Sequence, residues 1–288
     1  MGSGRFDSNA YRSFASSTVG RSTDEIYNQR HIHKDLNPLG VKVRESRDSA
    51  DNPLSTAIIV ALDVTGSMGM LADVIARQGL GVLFNRLYDE RPVTDPHVMF
   101  MGIGDANTDR APLQVSQFEA DNRIVEQVTQ LWLEHGGGGN NSESYHLPWY
   151  FAAQHTSIDC FEKRGRKGYL FTVGDECTPG PLLATQIRQF IGDKTERDLT
   201  PAELLGMASE SYNVFHIVIE EGDYARRAMP QVRKAWHKLM GPRALGLKDH
   251  TKLADGIVSI IEMNEAAMGK GTTATRMRPL PGYVAQVA

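Results

Sequence analysis

The residues best equipped for chemistry in this chain sit at the end of one apolar run. Ile58-Ile59-Val60-Ala61-Leu62 leads directly into Asp63-Val64-Thr65-Gly66-Ser67-Met68-Gly69. An acid and two hydroxyls at alternate positions in a tight loop make a set of hard oxygen donors. That set suits a small divalent cation such as Mg²⁺ or Mn²⁺. Two more polar loops offer matching groups. One is Gly136–Ser144, where four glycines run into Asn140-Asn141-Ser142-Glu143-Ser144, and the other is Gly174-Asp175-Glu176. Carboxylates, hydroxyls and amides from the three loops, with water, make up a six-coordinate shell.

Such loops meet only if the strands that carry them lie side by side. Thr56–Leu62, His97–Gly104 and Gly168–Val173 are continuous apolar runs, the pattern of strands buried on both faces. Val214–Ile219 and Ala244–Leu247 read as further strands. Helical spacing predicts helices over 69–88, 121–134, 147–158, 182–191, 201–211 and 224–239, and a last one from about His250 to Met268. Thr200-Pro201-Ala202-Glu203 is a capping box with proline at the first helical position. Asp105–Arg110 reads as a polar turn into a short strand, Leu113–Phe118. Alternating strands and helices predict an α/β domain over 55–268, a doubly wound, mostly parallel sheet with one antiparallel edge hairpin. Open parallel sheets bind ligands beyond the carboxyl ends of their strands, where Asp63 and Asp175 fall. Trp132 and Trp149 are assigned to the core. Residues 1–54, polar with scattered Tyr11, Phe14, Val19, Ile26 and Tyr27, read as an extended arm partly ordered against the domain or a partner; 269–288 read as a flexible basic tail.

Charge narrows the partners. Residues 55–268 hold 20 basic and 28 acidic side chains, whereas 269–288 carry three basic and none acidic. An acidic body argues against a phosphate-backbone binder, so nucleic acid is not expected. No stretch approaches the roughly eighteen uninterrupted apolar residues of a membrane span. The sequence opens without a basic-then-apolar leader, and Cys160 and Cys177 are too few for a disulfide framework. Both point to a cytoplasmic setting.

The segment Asp63-Val64-Thr65-Gly66-Ser67 resembles the Asp-x-Ser/Thr-x-Ser signature of von Willebrand factor A (vWA) domains. The order of elements over 55–268 is similar too: signature strand and helix, edge hairpin, helix, Gly-rich loop, helix, then a strand ending in acid. The resemblance implies a metal-ion-dependent adhesion site. In it Asp63 acts mainly through water, Thr65 and Ser67 coordinate directly, and Asp175 supports from behind. The family's Gly-rich loop supplies a threonine that this chain lacks, leaving Asn140, Asn141 or Glu143 to substitute; Asn141 and Glu143 are the candidates carried forward. The resemblance further implies a cation completed by a partner's carboxylate, and a bacterial-type intracellular role beside an AAA+ ATPase or in a stress-related assembly.

Rival chemistries are incomplete in this sequence. A Mg²⁺-dependent phosphohydrolase built on Asp63 needs a second acid two residues later, where Thr65 stands, although Lys167 and Asp175-Glu176 imitate its downstream groups. Cys177 has no readable histidine partner. His135, His146 and His155 lack the zinc-protease spacing, and His31-Ile32-His33 has no third ligand nearby. No phosphate-binding Gly-x-x-x-x-Gly-Lys-Ser/Thr loop is present. No catalytic set is therefore expected. A scaffold whose metal is only structural remains the other alternative.

Overall fold

The structure is a computed structural model and describes residues 4–134 and 143–269. Its eight strands are β1 (Arg44–Ser46), β2 (Thr56–Asp63), β3 (Pro96–Ile103), β4 (Leu113–Val115), β5 (Thr156–Ile158), β6 (Gly168–Gly174), β7 (Tyr212–Ile219) and β8 (Ala244–Leu247). Six of them form one sheet in the order β4-β3-β2-β6-β7-β8. All neighbours in it are parallel except β4, which runs antiparallel to β3 at the edge. β1 and β5 pair separately, in parallel.

The apolar runs have a direct explanation. β2 is central, with β3 on one side and β6 on the other, and all eight of its residues are buried. Alternation along the strands then divides the core between two faces. Ile58, Val60 and Leu62 join Phe100, Leu71, Ile75, Leu83, Phe84, Ile257 and Ile261 on one face. Ala57, Ile59 and Ala61 join Met99, Met101, Trp149, Phe151, Leu204, Val232 and Trp236 on the other. The chain is thus an α/β protein whose mostly parallel, mixed sheet is flanked by helices.

The helix after β2 covers the expected span but is not uniform. It runs as Gly69–Val74, a five-residue π-helical turn at Ile75–Gly79, then Leu80–Glu90. Two tyrosines from the N-terminal segment bond carbonyls around this wider turn: Tyr11 Oη donates to Ala76 O at 2.9 Å and Tyr27 Oη to Ala72 O. The N-terminal segment itself is more structured than its composition suggests. Ser8–Ser17 is a helix capped by Asp7, and Ser22 with Glu25 forms a capping box at Thr23–Ile26. Phe6, Tyr11, Ile26, Tyr27 and Leu36 are buried in the same core as β2, and Phe6 stacks on Phe84 at 4.4 Å.

One helix is shorter than its periodicity implies. The helix expected over 121–134 is confined to Arg123–Thr129. The Gln114 amide explains the remainder: it donates to Trp132 O and accepts from Trp132 N, each at 2.9 Å. A side chain of β4 thereby holds this stretch outside the helix, and Trp132 is half-buried rather than in the core. Trp149 is fully buried, as expected. Among the described residues no helix is long and apolar enough to cross a membrane.

Candidate metal centre

β2 delivers Asp63 to the carboxyl edge of the sheet, fully buried. Its Oδ1 accepts from Thr65 N at 3.0 Å and from Thr65 Oγ1 at 2.7 Å, a tight Asx-type turn. Gly66 follows in the left-handed region at φ 41° and lets the chain reverse. Asp63 Oδ2 accepts from Tyr145 Oη at 2.9 Å. Both oxygens of Asp63 are therefore held in place. Ser67 lies in the turn Gly66–Met68, but its side chain is outside what is described.

β6 carries Asp175 to the same edge, 4% exposed. Its Oδ2 accepts from Tyr224 N at 2.8 Å and Ala225 N at 3.4 Å, so it also caps the helix Asp223–Met240. Two glycines make room. A Cβ on Gly222 would lie 2.4 Å from Asp175 Oδ2, and one on Gly174 would lie 2.1 Å from Tyr145 Oη.

Glu143 is the member of the Gly-rich loop that the structure brings in. It is 3% exposed, and its Oε1 lies 3.2 Å from Thr65 Oγ1. Its Oε2 is buried with no hydrogen-bond partner among the described residues. Asn140 and Asn141 lie outside the described residues. A single Thr65 hydroxyl proton is thus shared between two carboxyl groups, Asp63 and Glu143.

Burial and mutual repulsion set the charge state of this cluster. Burial is the main cause that raises Glu143 to about 9, and Asp63, Glu176, Asp109 and Asp105 push the same way. Burial raises Asp63 to about 7, with Asp175 adding to it, while the bonds from Thr65 and Tyr145 work against the rise. Glu176 is raised to about 7 by burial, then by Asp63, Asp175 and Asp105. Asp175 is raised by burial and by Asp223, against its bonds from the helix N-terminus. Without a cation, the first way to keep such groups buried is to protonate them.

Sequence reasoning placed Glu176 in the Asp175 loop without making it a ligand, and missed three other contributors. Glu176 Oε2 is a second buried oxygen without a partner among the described residues. Asp105 follows β3 as Asp63 ends β2, and the register Asp63 to Ile103 puts both at one edge. That acid after an apolar run was legible, but it reads equally as a turn residue. Asp109 Oδ2 accepts from Asp105 N at 2.8 Å, and Asp109 N donates back to Asp105 O. Tyr145 carries no sequence signal, because its role depends on a bond spanning 82 residues.

Other candidate residues lie elsewhere. Lys167 precedes β6, at the opposite end from Asp175, and its ammonium donates to Ser209 O. His146 is buried and lowered by that burial to about 4. His155 sits between Lys42 O and Asp193. His135 is outside the described residues. Cys160 and Cys177 are free thiols. Among the described residues, the group of three acid and histidine side chains close enough to hold one ion together is Glu221, Asp249 and His250, away from Asp63. The acids around Asp63 are not drawn together that closely; hydroxyls intervene.

The donor set fits a hard divalent ion. Glu143 Oε2 and Glu176 Oε2 are buried without partners among the described residues, and the charges that act most strongly on the two side chains are all negative.

No family model matches the chain, and no curated protein matches it. Among solved structures it is similar to the pilus adhesin SpaC from Lactobacillus rhamnosus GG. The open conformation overlaps with a TM-score of 0.46 at 11% identity over 76% of this chain, and a second form with 0.45 at 9%. The chain spans 31% of the length of that adhesin.

Proposed function

We propose that this chain is a metal-ion-dependent protein-binding module of the vWA type, with a doubly wound sheet and a Mg²⁺ or Mn²⁺ site at its carboxyl edge. The carrying observation is the convergence of Asp63 and Glu143 on the Thr65 hydroxyl, with Glu143 Oε2 buried and unpartnered among the described residues. The two apolar clusters on opposite faces of the sheet support the winding. In this reading Thr65 and Ser67 give hydroxyl ligands, Asp63 acts through water, Asp175 orients from the helix N-terminus, and Glu143 or Asn141 supplies the Gly-rich-loop ligand. The cation, when bound, acts as a Lewis acid that gathers these oxygens and accepts a carboxylate from an acidic partner, with an AAA+ ATPase as the partner class the resemblance implies. The role is binding rather than turnover, in a cytoplasmic setting.

Calorimetric titration of Mg²⁺ and Mn²⁺ into wild type and Asp63→Ala tests the site. Saturable binding lost in Asp63→Ala supports it; binding left unchanged by that substitution overturns it. Capture of an acidic partner that chelator abolishes supports the interaction role.

A further inference from the structure

The metal reading leaves open what fills the coordination position facing away from the sheet. A partner's carboxylate is one answer, but the burial of the donors speaks against ready access. Asp63, Asp175 and Glu143 are 0%, 4% and 3% exposed, and Thr65 is buried with them. Glu143 is also not a loose side chain. Its carbonyl accepts from Tyr145 N at 2.9 Å, Ser144 N donates to Gly104 O at 3.1 Å, and Ser144 Oγ accepts from Ala106 N at 2.9 Å. The backbone around it is thus pinned to the end of β3 on one side and to the helix His146–His155 on the other.

The spacing of its carboxylate suits a ligand. Adjacent oxygens in an octahedral shell with bonds of about 2.1 Å stand about 3.0 Å apart. Glu143 Oε1 accepts from Thr65 Oγ1 at 3.2 Å, so these two oxygens would already be close enough to hold one ion together. The free Oε2 has no competing protein partner among the described residues.

Building on the metal reading above, we infer that Glu143 is the chain's own carboxylate ligand and occupies the position an acidic partner would take. The partner would therefore compete with Glu143 for the cation. The residue sets both the charge of the cation complex and the threshold for docking: a partner binds only as Glu143 leaves.

Water-proton relaxation of bound Mn²⁺ tests this on the full chain, with acetate as the probe for a partner carboxylate. In wild type, bound Mn²⁺ keeps its hydration, and acetate leaves the relaxation unchanged. In Glu143→Ala, bound Mn²⁺ gains about one exchanging water, and acetate reverses the gain. Glu143→Leu keeps the buried volume without a ligand atom and shows the same acetate response, which keeps the test open if the alanine variant fails to fold. Equal hydration and equal acetate response in wild type and both variants, with Asp63→Ala still abolishing Mn²⁺ binding, overturns the role of Glu143 and leaves the metal site standing. Absence of Mn²⁺ binding in wild type overturns both.

Discussion

Tyr145 Oη donates to Asp63 Oδ2 at 2.9 Å, a fully buried bond between residues 82 positions apart. It joins the end of β2 to the start of the helix His146–His155, and Glu176 N approaches the same oxygen at 3.4 Å. The tyrosine thus ties together the Asp63 turn, the Glu143 segment and the Asp175-Glu176 loop. Behind it the ring meets His216 and Trp236 edge-on, with centroids 5.0 and 5.6 Å away, so its position is fixed by packing.

Tyr145→Phe keeps that packing and removes one donor from a buried carboxylate. The expected cost is about 1–3 kcal/mol in urea unfolding of the metal-free protein. Excess Mg²⁺ is expected to recover part of the loss, because a bound cation offsets the charge left on Asp63. A variant as stable as wild type without metal would show that the bond has no structural weight.

The raised acids give the stability a definite slope with pH. Asp63 and Glu176 are held at about 7 and Glu143 at about 9, all chiefly by burial, above the ordinary carboxyl values of the unfolded chain. The folded state therefore binds more protons than the unfolded state above about pH 4, so this contribution falls as pH rises toward about 9. Metal-free protein is expected to melt at a lower temperature near pH 8 than near pH 5. Because a cation replaces those protons, Mg²⁺ narrows the difference, and its affinity rises with pH. Thermal melts with chelator and with Mg²⁺ check this. Glu143→Gln isolates the cluster, since it is expected to flatten the metal-free profile between about pH 7 and 9.

Much of this fold is legible in the sequence because one physical signal dominates it. β2, β3 and β6 are apolar from end to end, which follows from their places inside a parallel sheet covered on both faces. The Asp63 turn is readable for the same reason, because its oxygen donors follow a buried run directly and repeat at alternate positions. Features that depend on a single distant contact were not readable. Trp132 is withdrawn from its expected helix by the amide of Gln114, and Phe6 reaches the core from a segment with no periodicity. Tyr145 enters the site through side-chain reach, which no local pattern encodes, whereas Asp105 follows an apolar run yet reads equally as a turn residue.

Asp175 serves two purposes that substitution can separate. Its Oδ2 caps the helix Asp223–Met240 through Tyr224 N and Ala225 N, so Asp175→Ala is expected to cost about 0.5–2 kcal/mol of stability. Asp175→Asn retains an acceptor for those amides while removing the charge. It is expected to hold stability within about 0.5 kcal/mol of wild type yet weaken Mn²⁺ binding by about 10-fold or more, the scale seen when a group supporting a metal ligand is lost. Paired unfolding and calorimetric titrations measure both, and unchanged Mn²⁺ affinity in Asp175→Asn would confine this residue to capping.

The N-terminal segment makes a prediction independent of any metal. Phe6 stacks on Phe84 at 4.4 Å with the rings within 2° of parallel, and Tyr11 hydrogen-bonds Ala76 O beside the π-helical turn. This turn belongs to the helix that begins at Gly69, immediately after the Asp63 loop, so the segment braces the element leading out of the site. Phe6→Ala removes a buried ring and is expected to cost about 3 kcal/mol. Hydrogen exchange is expected to quicken in Leu80–Glu90, the part of the helix that Phe6 covers. Exchange unaltered there, with stability also unchanged, would show that the helix stands without its N-terminal cover.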